Sequence, residues 1–525
     1  WHAGRSGSDA RTMERFRENR MGTDPDNWGS NNFVIRNGFT VDGVEIRGTP
    51  KSKNSVSYQI ILNEYLDEDM TVRKAGGPYL IPQEYFTIAE GRTVVLEPGV
   101  VIKFSDPDGG QIHIEGILKA IGTAEEPIVF TSIDDDEYGG DMAGNGTSTA
   151  PRPGSIRGLW FKPTSGGSEL DNVMVRYGGR YYNNNAQLSR AILGIEGADI
   201  TVKNSTFENS YSYGVRLEDS DSIFEGNVMA GSAFEGMLVE GGSPEIRGNI
   251  FKLNRTGILV TNAPAAEIAD NFFEGNAGYA INNSGEIARY SGNSGEANGI
   301  GGIGVTHDFL PDGVTTLKKN DIPYILDRQV LVTSGKALTF EPGVVFKGRY
   351  GEFPQGVLTI KDGGRVFYNG ATSSEIIFTS FYDDSIGGDS DNSTTTPKAG
   401  DWTGIEVAVG GELDMSGFTI RYAGEGRREF RETRAGLRIT GGSATTTNEL
   451  ISTNKEFGVR VLGGGSLYMK DSHISDHVEE GGLAGVGLGV FDSTAVIENI
   501  DFSNNEINIK TEGAYSLTCT GTCSD

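Results

Sequence analysis

Between residues 200 and 282 the sequence repeats itself about every 22 positions, and this period constrains the fold more than any other feature. Asn227, Asn249 and Asn271 are each 22 apart, as are Asn254 and Asn276. Gly214, Gly236, Gly257 and Gly278 recur at 22, 21 and 21, and each precedes a strand-like run such as Met237-Leu-Val or Ile258-Leu-Val. A short period rich in β-branched, aromatic, Gly and Asn residues opposes a helical repeat, because those residues are poor helix formers and apolar positions do not recur at i, i+3, i+4. It predicts coils of two or three short strands stacked in parallel, about 4.8 Å apart. Inward side chains then form an apolar ladder. The Asn side chains cap the backbone groups that each turn leaves unpaired.

A longer repeat is superposed on the short one. Leu96-Glu-Pro-Gly-Val-Val matches Phe340-Glu-Pro-Gly-Val-Val at an offset of 244; Phe130-Thr-Ser matches Phe378-Thr-Ser at 248; Val175-Arg-Tyr matches Ile420-Arg-Tyr at 245. The drift implies short insertions in loops. The resulting division is a segment over 1–55, a linker over 56–75, a β-helix module over 76–319 with an irregular Gly-rich end, and a second module over 320–525 that ends in a cysteine tail. The expected class is all-β, a right-handed parallel β-helix in two homologous modules.

The chain of 525 residues carries a formal charge of −27. That excludes nucleic acid as an expected partner, since phosphate binding needs a basic surface, and it suits divalent cations. No apolar run reaches the length of a membrane span. The chain starts at Trp1 and is read as a mature or trimmed form of a secreted or surface protein. The two cysteines, Cys519 and Cys523, are expected to close a small disulfide loop in an oxidising compartment.

The Glu-Pro-Gly-Val-Val, Phe-Thr-Ser and Ile-Arg-Tyr pattern with Asn-punctuated coils resembles the right-handed β-helix repeat proteins of bacterial surfaces, similar in fold to pectate lyases and to periplasmic NosD-type proteins. Ser8-Asp-Ala-Arg-Thr-Met-Glu-Arg, Thr23-Asp-Pro-Asp-Asn-Trp and Gly48-Thr-Pro resemble the closing part of a lamin-tail domain, an immunoglobulin-like sandwich.

Two acidic insertions are the candidate metal sites. One carries Asp135, Asp136, Asp141 and Asn145; the other carries Asp383, Asp384, Asp389 and Asp391. Paired Asp residues, a flexible Gly-Gly and a further Asp can wrap calcium, which takes six to eight oxygens; the alternative is a solvated turn. Of the motifs of polygalacturonase-like hydrolases only Asp-Asp is present, and Arg176 and Arg421 read as strand residues rather than as lyase bases. His473 and His477, four apart, do not share a face in a β-helix, and no third zinc ligand accompanies them. Trp160, Trp402, Tyr181 and Tyr182 are candidate sugar-stacking aromatics, weighed against covering coil edges. The expected function is therefore a non-catalytic extracellular scaffold, self-assembling into an oligomer or polymer and stiffened by calcium. The alternatives are a polysaccharide-binding adhesin and a polysaccharide lyase or hydrolase.

Overall fold

The computed structural model describes strand positions within residues 33–62 and all residues from Tyr65 onward except 75–77, 83, 106–108, 147, 181–189, 306–309, 350–356, 426–433, 479–483 and 524–525. The chain divides into two compact units, Trp1–Arg255 and Thr256–Asp525. Each is a right-handed parallel β-helix, and no α-helix occurs among the described residues.

In the first unit each coil contributes one strand to each of three parallel sheets. The coil with strands Thr201–Lys203, Thr206–Glu208 and Tyr213–Glu218 lies under one with strands Ile223–Glu225, Val228–Ala230 and Glu235–Glu240. Pairing is in register at 22 residues, as in Val202 opposite Phe224 and Phe207 opposite Met229. Because strand side chains alternate, that register stacks the inward residue of each coil on that of the next. Ile102, Phe130, Val175, Phe207, Met229 and Phe251 form one such ladder, all at most 2% exposed. Each such side chain contributes about 1.5–3 kcal/mol on leaving water.

The turn asparagines hold successive coils together. In the first unit the Asn227 backbone N–H and Nδ2 both donate to Asn249 Oδ1 at 2.9 Å, and Nδ2 also donates to the Val202 carbonyl at 2.9 Å. Ser232 N–H donates to Asn254 Oδ1 at 2.9 Å. In the second unit Asn271 donates to Asn293 Oδ1, Asn276 donates to Asn298 Oδ1, and Asn293 donates to Asn320 Oδ1. An amide is suited to this position because it both accepts and donates at a buried corner.

Within the second unit the stack changes phase. Strands Tyr279–Ser284 and Ile300–Val305 are the last and longest of their coils, yet Ile300–Val305 is covered by Tyr324–Leu326, the second strand of the next, which follows Gly313–Leu317. The Gly-rich strand Ile300–Val305 permits this: a Cβ on Gly302 would lie 2.5 Å from the Ile325 side chain. At the other end of the chain, Val44–Ser52 and Ser55–Leu62 form an antiparallel hairpin whose second strand pairs with Tyr79–Ile81 and covers that sheet edge. Strands Ser55–Leu62, Tyr65–Leu66 and Met70–Val72 occupy the stretch expected as linker. Residues 1–32, which hold most of the lamin-tail-like pattern, lie outside the described residues. Cys519 and Cys523 are bonded to each other.

Candidate functional site

Both acidic loops leave a strand whose outward threonine is covered, and a buried lysine lies one coil below. Lys103 is in register with Thr131, and Lys347 with Thr379; all four side chains are fully buried. The Lys103 ammonium donates to the carbonyl oxygens of Asp135 at 2.7 Å and Gly140 at 2.6 Å. The Lys347 ammonium donates to the Gly388 carbonyl. The lysine thus satisfies loop carbonyls as a bound cation would. Burial lowers its basicity in both loops, to about 8 for Lys347, while Asp383, Asp384, Asp389 and Asp391 pull the other way.

This arrangement divides the eight expected metal ligands. Asp135 accepts from Thr131 Oγ1 at 2.6 Å and faces Arg176, which also pairs with Glu137 at 2.6 Å and Glu208 at 3.0 Å. Asp383 is bound in the same way by Thr379, Ser385 and Arg421; burial opposes its ionisation, but these partners outweigh it and hold its carboxyl below the usual range. Both aspartates are buried inside their loops and have no face to offer an ion. Asp141 accepts the backbone N–H groups of Gly144, Asn145 and Gly146, and Asn145 Nδ2 donates to Thr149, so these two build a turn. Asp136 is half-buried. Only Asp384, Asp389 and Asp391 converge, with carboxylate oxygens within 4.8 Å of one another. Burial, followed by Asp389, raises the Asp384 carboxyl above its ordinary value.

A different set of residues converges on the outer face of the first unit. Strands Tyr85–Ile88, Gln111–Ile114 and Gly158–Phe161 lie side by side, with His113 opposite Trp160. The His113 ring is 4.9 Å from that of Tyr85 and 5.2 Å from that of Trp160, giving an aromatic ladder across three coils. Arg157, itself buried, supports it by donating to the Tyr85 hydroxyl and to Glu84, each at 2.7 Å. Lys162 Nζ lies 3.1 Å from the Trp160 ring centroid and 3.3 Å from Glu196. Burial, then Lys162 and Arg157, depress His113 to about 4, so the ladder is uncharged near neutrality.

The same sheet continues as a row of carboxylates. Glu196, Glu218 and Glu240 are in register on successive coils, with side chains 37%, 43% and 32% exposed. Buried Arg216 stands beside them, donating through Nε to Glu240 at 2.6 Å and lying 3.6 Å from Glu218. Arg157, Lys162 and Arg216 are thus each ion-paired with a glutamate of this face.

Of the expected aromatics, Trp160 belongs to this ladder. Trp402 is a core residue, fully buried, with Nε1 donating to the Arg421 carbonyl. Tyr181 and Tyr182 lie outside the described residues. Tyr85, His113 and the glutamate row escaped sequence reading. The 22-residue register carries the glutamate signal at 196, 218 and 240, whereas His113 and Trp160 are separated by an inserted loop.

The geometry defines a parallel β-helix with a polar, aromatic-lined flank. Comparison with known proteins agrees on the fold: the family described as "right handed beta helix region" matches residues 190–343. Among curated proteins, Protein bark beetle of Drosophila melanogaster is 32% identical over 84 residues, 16% of this chain and 3% of that one. Among solved structures, the catalytic domain of Agl-KA is 12% identical with a TM-score of 0.26, over 87% of this chain and 62% of that one. The catalytic unit of a thermostable α-1,3-glucanase from Streptomyces thermodiastaticus strain HF3-3 is 11% identical with a TM-score of 0.25, over 82% and 64%. The chain thus spans less than two thirds of either domain. These likenesses show the fold alone, yet they correct one expectation. The chain was expected not to be an enzyme; these two solved chains of like fold are catalytic domains, so the architecture is no ground for a non-catalytic role, and that reading is dropped. No helix among the described residues is long and apolar enough to cross a membrane.

Proposed function

We propose that this chain is a carbohydrate-active β-helix that lays an extended polysaccharide along the outer face of the first unit and acts on it there. The observation that carries this reading is the aromatic ladder of Tyr85, His113 and Trp160 on the same sheet as the carboxylate row of Glu196, Glu218 and Glu240. Aromatic rings offer apolar faces to sugar C–H groups. Coils that rise about 4.8 Å present one binding group per coil, comparable to the length of a sugar residue. Glycosidic cleavage uses two carboxylates, about 5–5.5 Å apart when the anomeric configuration is retained. Glu218 and Glu240 are the pair in this reading, and Arg216 orients Glu240.

The ion-paired cations and the charge of −27 favour a neutral over an acidic polysaccharide. Work outside the reducing cytosol is supported by the Cys519–Cys523 bond. In the second acidic loop, calcium is proposed as a ligand of Asp384, Asp389 and Asp391 only. Affinity electrophoresis through gels containing neutral or uronic-acid polysaccharides tests the binding claim. Retardation by a neutral polymer that is lost in Trp160→Ala supports it; equal mobility of wild type and variant in every gel overturns it.

A further inference from the structure

The second unit carries a hydrogen-bonded Ser–His–Asp relay remote in sequence from everything described so far. Strands Ser466–Ser475 and Thr494–Ser503 are adjacent and in register, with His473 opposite Asp501 and Ser475 opposite Ser503. Asp501 and Ser503 are two residues apart on one strand, so both present their side chains on the outer face, on the side where His473 lies. The His473 ring bridges them: Nδ1 is 2.7 Å from Asp501 Oδ2, and Nε2 is 3.2 Å from Ser503 Oγ. One tautomer satisfies both contacts, with Nδ1–H donating to the carboxylate and Nε2 accepting from the serine hydroxyl. This is the arrangement of a nucleophile, its base and the group that orients the base. His473 and Asp501 also line a shallow, open depression of about 580 Å³ on this face; Ser503 lies outside its lining. Its other walls include Thr372, Ser373, Asn448, Asp471 and Asn499, which suit a hydroxyl-rich ligand.

We propose that Ser503, His473 and Asp501 form an ester-hydrolysing site for short acyl groups carried on sugar hydroxyls. In the first step Ser503 Oγ bonds to the ester carbonyl carbon while its proton passes to His473 Nε2. The tetrahedral adduct collapses, the C–O bond to the sugar breaks, and the departing sugar oxygen takes that proton from His473. Water then attacks the acyl-serine, giving a proton to the same Nε2. The second collapse releases the carboxylic acid and returns the proton to Ser503. Asp501 holds the imidazole in the required tautomer; its side chain is 70% exposed, so water can replace part of that role.

The test uses the full chain with 4-nitrophenyl acetate and peracetylated glucose, read as nitrophenolate and acetate release, together with a fluorophosphonate probe located by mass spectrometry. General-base assistance of this kind is worth about 10²–10⁴-fold, so Ser503→Ala and His473→Gln are expected to lose at least 100-fold, and Asp501→Asn about tenfold. The probe is expected on Ser503 of the wild-type chain and to be absent from a His473→Gln chain of unchanged circular dichroism. Hydrolysis equal in wild type and Ser503→Ala overturns the proposal. So does wild-type labelling that is absent or falls on another serine, a result that holds whether or not any variant folds. The site lies in the other unit from the polysaccharide face, so either reading can fail without the other.

Discussion

Glu449 stands at a ladder position that other coils give to asparagine, just before the short strand Leu450–Ser452 as Asn249 stands just before Ile250–Lys252. Its side chain is 2% exposed and accepts from Thr446 Oγ1 at 2.6 Å. Burial, only partly offset by hydrogen bonds from Thr446 and Ser472, pushes its carboxyl from 4.5 to about 7. In the unfolded chain the group ionises near its ordinary value. Below that value both states are protonated and nothing is lost. As pH rises from there towards 7, the unfolded state releases a proton that the folded state retains, so stability falls; above 7 the loss is complete and constant. At about 1.4 kcal/mol per pH unit, the total loss is about 3 kcal/mol. Glu449→Gln keeps the shape and removes the ionisation. Urea unfolding of both chains from pH 4 to pH 9, with hydrogen exchange over residues 446–474 as the local readout, is expected to show near-equal stability at pH 4. By pH 8 the variant should be ahead by up to about 3 kcal/mol. Parallel curves at every pH would refute the placement of this carboxyl in the core.

Other expectations rest on separate contacts. Lys103→Met removes the ammonium that holds the Asp135 and Gly140 carbonyls and leaves Asp135 with one cation fewer; a loss of about 3–5 kcal/mol and early proteolytic cleavage within residues 134–150 are expected, and an unchanged digestion pattern would count against the internal-cation account. Asn249→Ala strands the backbone N–H of Asn227 and the Phe224 carbonyl, each a buried polar group costing about 1–3 kcal/mol, and a lowered denaturation midpoint is the readout. Calorimetric titration with calcium is expected to show a site that Asp389→Asn abolishes and Asp141→Asn leaves intact; identical isotherms for the two variants would sink the assignment to the second loop.

The stacking was legible because a 22-residue period is local: Asn227 and Asn249 announce each other without knowledge of the rest of the chain. The acidic loops were legible as insertions but not as chemistry. What decides Asp135 is Lys103 on the coil below and Arg176 on the coil above, and insertions of unequal length separate all three in sequence. For the same reason Trp160 could be singled out as a tryptophan without its partners, since His113 becomes its neighbour only once the loop between them is folded away. Trp402 was a candidate sugar-stacking aromatic alongside Trp160, yet the Arg421 carbonyl gives its indole N–H a partner, and it packs inside. The Ser503–His473–Asp501 relay has no sequence signature, because its spacing is that of two stacked coils and not of a motif.

The central claim is that the face carrying Trp160, Glu218 and Glu240 acts on a polysaccharide. The most direct measurement is the release of new chain ends from a panel of neutral polysaccharides, followed by reducing-sugar assay and by nuclear magnetic resonance of the products. The account expects release from at least one neutral polymer by the wild-type chain. A loss of about 10²–10⁴-fold is expected in Glu218→Gln and Glu240→Gln at unchanged circular dichroism. No release from any polymer, or release that both glutamine variants retain in full, would contradict it.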